Sequence, residues 1–437
     1  MSVLERVRAQ GPVPDALGAE ELVKQRRWLK QTLIERLGLK AVAEGLTSGS
    51  TERIRMELEV ACRSILNVQG ERVLPEHHDL LVRQVLDEVC GLGPIQPLMD
   101  DEEVTEVMIN SPEALFFERA GRIEASSYAF DSEEQVMTVL DRILAPLGRR
   151  LDKGSPLVNA RLANGDRVNA VVPPVAPGGP AVTIRKFSGR ITSLERLVEL
   201  GALPIWYAQL LSCAVRCRQS IAVAGGTGSG KTTLLNALSC EIDHGERIVT
   251  IEDSCELRFD THPNVVALEA RDASIEGTGE VTIRELVKNA LRMRPDRIIV
   301  GEVRGEETID MLNAMNTGHP GSLTTLHAGD AREAVSRLIL MARFGMNLPS
   351  ELIEEQISTA LDLIVMSCRL PDGGRRIGSM AEVQRSDQGR VELSTCVSYD
   401  SAMDSWNLLR MPGFIGMAKE LGLVDEGEVA SWSSLIL

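Results

Sequence analysis

Aromatic residues are scarce, at 3% of 437, and the eight cysteines never occur as C-x-x-C. Without that spacing a structural zinc site has little support. Cys213 and Cys217 lie one helical turn apart and could in principle hold a metal, but in a cytosolic chain they read as small buried apolar residues. No apolar run approaches the ~18 residues of a membrane span, and nothing resembles a signal peptide. The chain is therefore read as cytoplasmic, with no direct membrane span. Positive charge is also short: 47 Lys and Arg stand against 63 Asp and Glu, a net −16. Phosphate contacts need basic surface, so a broad nucleic-acid groove is disfavoured and nucleic acid is not an expected partner. One local basic cluster exists, Lys24, Arg26, Arg27, Lys30, Arg36 and Lys40, and it reads as a solvated helix face.

What is present is a soluble globular composition, 43% apolar and 25% charged, in a chain long enough for two or three domains. The organising stretch is IAVAGGTGSGKTTLLNAL, residues 221 to 238. The apolar run Ile221 to Ala224 ends in glycines. Gly225-Gly226-Thr227-Gly228-Ser229-Gly230-Lys231-Thr232 then fits G-x-x-x-x-G-K-[ST], and Thr233, Leu234, Leu235 and Leu238 continue as a helix. The glycines let successive N–H groups turn toward phosphates, and the helix start adds its positive dipole end. Lys231 is placed to neutralise the β- and γ-phosphates of ATP, and Thr232 offers a hydroxyl to Mg²⁺.

Before this motif, residues 1–75 read as a helical segment with no evident chemistry, a docking or regulatory appendage. Leu22 to Leu37 and Thr51 to Leu66 carry its helix formers. Residues 76–188 read as a small α+β domain. In it a helix ends at Cys90, Pro94 and Pro97 stop it, and the acidic run Asp100 to Glu103 seeds a new first turn. Ala114 to Phe130 form a hairpin about Ala120-Gly121. Asp131 to Glu134 make a capping box for a helix with Val136, Leu140, Ile143, Leu144 and Leu147 on one face. Strands flank Asn164-Gly165, and AVTIRKF supplies another, with Val182 and Ile184 on one face and Arg185 on the other. Arg161, Arg167 and Arg185 are the arginines of interest. Residues 189–203 read as a linker and hinge containing a short amphipathic helix.

From residue 204 to 437 four apolar runs each end in a chemically useful group. IAVA meets the phosphate loop, Ile248 to Ile251 ends at Glu252-Asp253, Ile298 to Val300 ends through Gly301 at Glu302, and Leu323 to Leu326 ends at His327. Alternating strands and helices predict a parallel sheet in an α/β domain, whose ligands bind beyond the carboxyl ends of the strands. All four ends then converge on one site. The tail reads as helices Val335 to Phe344 and Leu348 to Leu361, a small antiparallel addition to about Ser398, and a last short helix, serving packing and partner contact.

The run ALRMRPDRIIVGEVRGEETIDMLNAMNTGHPGSLTTLHA resembles the signature of the type II/type IV secretion ATPase superfamily, and most of all its tight-adherence (Tad/Flp, CpaF-type) pilus-assembly branch. GLGPIQPLMDDEEVTEVMIN, SPLVNARLANGDRVNAVVPP and TIRKF are similar to patterns of that branch, so the likeness spans about residues 75 to 370. It implies a RecA-like domain joined to a smaller N-domain, a homo-hexamer with ATP between the two domains, and inner-membrane pilus or secretion platform proteins as partners. Gly301-Glu302 resembles the family's Walker B end, IVTIEDSCEL its acidic box and GHPGSLTTLHA its histidine box. Arg167 and Arg185 match its phosphate-reaching arginines. Cys255 and Pro320 depart from the pattern at positions without assigned chemistry. The implied mechanism is ATP hydrolysis coupled to domain movement. Thr232, with Asp253 or Glu302 through water, would hold Mg²⁺. Glu252 and Glu302 are rival candidates for orienting the attacking water, and His327 would sense the γ-phosphate. A DNA-translocating conjugative ATPase and a non-hydrolysing, nucleotide-gated scaffold are the alternatives.

Overall fold

The computed structural model describes residues 16–37, 51–69, 73–119, 121–162, 164–186, 193–259, 262–271, 273, 278–386 and 389–436. The chain divides into two compact units, Met1–Phe187 and Ser188–Leu437.

In the first unit, α1 (Ala16–Leu37), α2 (Thr51–Gln69) and α3 (His78–Cys90) share one apolar cluster. Leu29, Leu33, Leu58, Ile65, Leu81 and Val85 form its centre. The basic cluster is not the solvated face expected of it. Arg26 is buried and ion-pairs with Glu88 and Asp131, each at 2.8 Å, while Arg27 reaches Asp131 and Lys30 reaches Glu88. Burying a guanidinium is costly unless carboxylates compensate it, and here two do. Lys24 and Arg36 are exposed, and Lys40 lies outside the described residues.

The acidic run does not open a helix either. A short helix, Gln96–Asp100, precedes it with Pro97 in the first turn, where the missing N–H is no loss. Asp101 then accepts from the Glu103 N–H and pairs with Arg119, so the chain enters a strand. Six strands follow: β1 (Val104–Ser111), β2 (Ala114–Arg119), β3 (Arg122–Ala125), β4 (Leu157–Arg161), β5 (Arg167–Val171) and β6 (Ala181–Arg185). They form one antiparallel sheet in the order β3-β2-β1-β6-β5-β4. Its apolar face packs on α4 (Glu133–Leu144) through Val136, Val139, Leu140 and Ile143. The cap of α4 sits one residue later than expected: Ser132 Oγ accepts from the Gln135 N–H, and Gln135 Oε1 accepts from the Asp131 N–H.

In the second unit, α5 (Leu194–Glu199) buries Leu194 and Leu197 in the same core as α6 (Ile205–Arg216). From Ser193 onward the segment expected as linker therefore belongs to this unit's core, while 189–192 lie outside the described residues. The sheet has nine strands: β7 (Ile221–Gly225), β8 (Ile248–Glu252), β9 (Val265–Glu269), β10 (Arg297–Val300), β11 (Leu323–His327), β12 (Leu363–Arg369), β13 (Arg375–Arg385), β14 (Val391–Asp400) and β15 (Ser405–Leu408). Their order is β15-β14-β13-β12-β7-β11-β10-β8-β9, parallel from β12 to β9 and antiparallel from β13 to β15. Alternate residues of β7 feed opposite cores, Ile221 and Val223 one, Ala222 and Ala224 the other. The first core holds α5, α6 and α7 (Lys231–Ser239). The second holds α8 (Ile283–Ala290), α9 (Glu307–Asn316), α10 (Ala331–Gly345) and α11 (Ser350–Ala360). This is the RecA-like α/β arrangement that the resemblance implies. The tail differs from expectation in two respects: a helix Glu426–Ser433 follows the short helix Ile415–Glu420 expected as the last, and the first tail strand lies elsewhere than in a separate addition. Its strand β12 is an inner strand of the main sheet, paired in parallel with the phosphate-loop strand.

Candidate nucleotide site

The phosphate loop joins β7 to α7. Gly228 and Gly230 have φ of +67° and +97°, the left-handed region that a side chain disfavours. Gly225 must also lack a Cβ, because one placed there would stand 2.2 Å from the Ser367 carbonyl oxygen. Lys231, only 8% exposed, turns its Nζ back into the loop and donates to the Gly226 carbonyl oxygen at 3.0 Å.

The strand ends assemble around it. β11 lies beside β7 with His327 opposite Gly225, which sets the imidazole against the loop. His327 Nδ1 is 3.4 Å from Lys231 Nζ, and its Nε2 is 3.0 Å from Glu302 Oε1. An acceptor facing the ammonium and a donor facing the carboxylate assign the Nε2–H tautomer. Desolvation, and then the Lys231 charge, hold the His327 pKa below the ordinary imidazole value, so the ring is neutral at pH 7. Glu302 Oε2 accepts from Arg304 Nε at 3.0 Å and from Nη2 at 2.5 Å, and Arg304 Nη1 pairs with Asp253 at 3.1 Å. Desolvation opposes the Arg304 charge, but the Glu302 hydrogen bond and field outweigh it, so the guanidinium pKa is raised. A continuous line of polar contacts thus runs from Lys231 through His327, Glu302 and Arg304 to Asp253.

Glu252 sits beside this line. It is 3% exposed, and its Oε1 accepts from the N–H groups of Glu256 at 2.8 Å and Leu257 at 3.2 Å, which folds the acidic box back over the strand end. Gly301 makes room for it: a Cβ there would stand 2.8 Å from Glu252 Cγ. Thr232 and Thr233 occupy the first turn of α7.

Arg167 and Arg185 lie in the first unit, and their sheet register brings them together. Arg161, Arg167 and Arg185 stand directly opposite one another on β4, β5 and β6, and Glu106 of β1 continues the row. Val168 and Ile184 alternate with them into the core, so the row lies on the polar face. Desolvation and Glu118 push the Glu106 pKa up against the opposing pull of Arg185.

Sequence reasoning missed Arg304, Ser367, Arg369 and Arg375. Arg304 stands two residues after Glu302 and carried a local signal. The other three belong to a hairpin that reaches the loop only through the pairing of β12 with β7.

A family profile described as "Type II/IV secretion system protein" matches residues 88–398. The chain belongs to the type II/IV secretion system protein family. A Mycobacterium tuberculosis (strain CDC 1551 / Oshkosh) member named for conjugal transfer is 37% identical over 328 residues, 74% of this chain and 92% of that protein. The type IV secretion system protein VirB11 of Brucella abortus biovar 1 (strain 9-941) is 35% identical over 328 residues, 69% of this chain and 90% of that one. Among solved structures, the VirB11 ATPase from the Brucella suis type IV secretion system in complex with sulphate is 32% identical. It overlaps 66% of this chain and 92% of that one at a TM-score of 0.36. Family membership rests on the sequence matches. No helix among the described residues is long and apolar enough to cross a membrane.

Proposed function

We propose that this family member is an ATPase motor that hydrolyses ATP to power Tad/Flp-type pilus assembly or related secretion across the bacterial envelope. The supporting observation is the contact line Lys231–His327–Glu302–Arg304–Asp253, which ties a phosphate loop to two carboxylates at neighbouring strand ends. Phosphoryl transfer needs little covalent help from the protein, so charge placement and water positioning supply the rate. Lys231 neutralises the β- and γ-phosphates. Glu302 orients and deprotonates the attacking water, and Glu252, spent on holding its own loop, is the weaker candidate. Neutral His327, in polar contact with both Lys231 and Glu302, senses whether a γ-phosphate is present. Thr232, Asp253 and Glu302 offer the hard oxygen donors that Mg²⁺ prefers, and both carboxylates already face one cation, Arg304. Bound Mg²⁺ would supply charge neutralisation at the β/γ oxygens. Arg167 and Arg185 act as arginine fingers from the first unit, so ATP draws the units together and hydrolysis releases them.

The same reading includes a homo-hexamer, peripheral to the inner membrane and held there by platform proteins. A second reading, conjugal DNA transfer, is favoured by the names of the relatives, whereas the net charge of −16 favours the pilus. Phosphate release from ATP, measured with and without Mg²⁺, tests the motor. The expected result is Mg²⁺-dependent release that is lost with nucleotide binding in Lys231→Ala. Near-normal release from that variant overturns the site, and no release from the unaltered protein leaves the nucleotide-gated scaffold. Stimulation of the rate by DNA decides for conjugal transfer.

A further inference from the structure

The phosphate loop is held from outside by a hairpin far from it in sequence. β12 runs alongside β7 with Ser367 opposite Gly225, and the turn after it returns as β13 with Arg375 directly opposite Arg369. Buried Ser367 donates its Oγ hydrogen to the Ser229 carbonyl oxygen at 2.6 Å. Arg375 Nε donates to the Gly228 carbonyl oxygen at 3.0 Å. The hairpin also closes on the loop glycines: a Cβ on Gly228 would stand 3.2 Å from Arg369 Nη1, and one on Gly230 3.4 Å from Arg375 Cδ.

Peptide planarity gives these bonds a consequence. In a trans peptide the C=O and the following N–H point in opposite directions. Drawing the carbonyls of Gly228 and Ser229 outward therefore turns the N–H groups of Ser229 and Gly230 inward. The inward sense is visible at Ser229, whose N–H lies 3.4 Å from the Gly226 carbonyl oxygen, the same atom that receives Lys231 Nζ. Inward N–H groups are the part of a phosphate loop that binds anions.

We propose that Ser367 and Arg375 are positioning residues for nucleotide binding. They fix the two apex peptides of the phosphate loop with their N–H groups toward the polyphosphate, and Arg369 adds a second guanidinium at the loop's outer side. The proposal rests on the reading of this loop as a nucleotide site. It concerns affinity and not the chemical step, since the hairpin lies on the β12 side of β7 while Glu302 and His327 lie on the β11 side.

The test is equilibrium binding of ADP to the full chain, together with KM and kcat for ATP and the melting temperature without nucleotide. In Arg375→Ala, ADP affinity falls and KM rises by roughly tenfold, the loss of one charge-assisted hydrogen bond. kcat stays within about twofold, and nucleotide-free melting is unchanged. Arg375→Lys, which keeps a charged donor, recovers most of the affinity, and Ser367→Ala repeats the loss. Unchanged ADP affinity in a folded Arg375→Ala protein overturns the proposal, as does a fall in kcat at constant KM. A drop in nucleotide-free melting without rescue by lysine also overturns it, since that marks a merely structural contact. An unaltered protein that binds ADP but releases no phosphate from ATP defeats the ATPase reading and leaves the ADP comparison decisive. One that binds no ADP defeats both.

Discussion

Glu252 ends β8 and Glu302 follows the adjacent parallel strand β10, and their surroundings separate their work. Glu252 is buried and spends one oxygen on the Glu256 and Leu257 N–H groups. Glu302 instead joins the imidazole that touches the phosphate-loop lysine. Glu302→Gln keeps shape and hydrogen bonding but loses charge and basicity. Single-turnover hydrolysis should fall by about 10²–10⁴ while ATP still binds. Glu252→Gln retains an amide oxygen for the two N–H groups, so the acidic box stays folded and turnover is largely kept. Normal hydrolysis by the Glu302 variant with loss in the Glu252 variant reverses the assignment. At this scale most of the site was legible in the sequence, because each group follows a short apolar run. Arg26 was misread for the opposite reason: its partners Glu88 and Asp131 lie 62 (88 − 26) and 105 residues away, beyond any local pattern.

Among the elements, the arginine row on β4, β5 and β6 carries the sharpest expectation. Three arginines stand directly opposite one another there, with Glu106 beside Arg185. Arg185→Ala should leave melting nearly unchanged, since the residue is exposed at the end of its strand, yet lower ATP turnover by up to ~10³–10⁵. Arg185→Lys should be poor as well, because the guanidinium fork matters along with the charge. Normal turnover in both variants would confine the row to dressing an exposed face. A fragment of the second unit provides the matching measurement, and it must begin near Ser193. Starting at residue 204 would strip Leu194 and Leu197 from the core and confuse folding with catalysis. The fragment 193–437 should bind nucleotide and turn it over slowly. The linker bounds 189–203 miss that Ser193 caps α5 by accepting from the Arg196 N–H, a signal easily taken for loop composition. The hairpin β12–β13 was seen as strands, but parallel pairing across the sheet carries no local mark.

For the molecule as a whole, one buried cation ties the second unit together. Arg297, with no solvent exposure, bonds to both oxygens of Glu246, to the carbonyl of Gly321 and to that of Val215. It thereby joins the starts of β8, β10 and β11 to the end of α6. Gly321, at φ +79°, leaves the space the guanidinium fills. Glu246→Ala leaves that charge uncompensated and should cost about 3–5 kcal/mol in urea unfolding. A loss under about 1 kcal/mol would show that the pair is dispensable. The position of β7 between β11 and β12 has a consequence for how the protein is made. The phosphate-loop strand leaves the ribosome well before either neighbour, and Ser220 meets its partner Asp362 across 142 residues. At about 5–20 residues per second, that interval lasts roughly 7–30 s. Throughout it the nascent chain carries a glycine-rich loop without its outer brace, and the β12 edge of its apolar strand stays open even after β11 has taken the other. A chain stalled or cut before Arg375 has the motif without that brace, and it should hold nucleotide more weakly than the finished subunit.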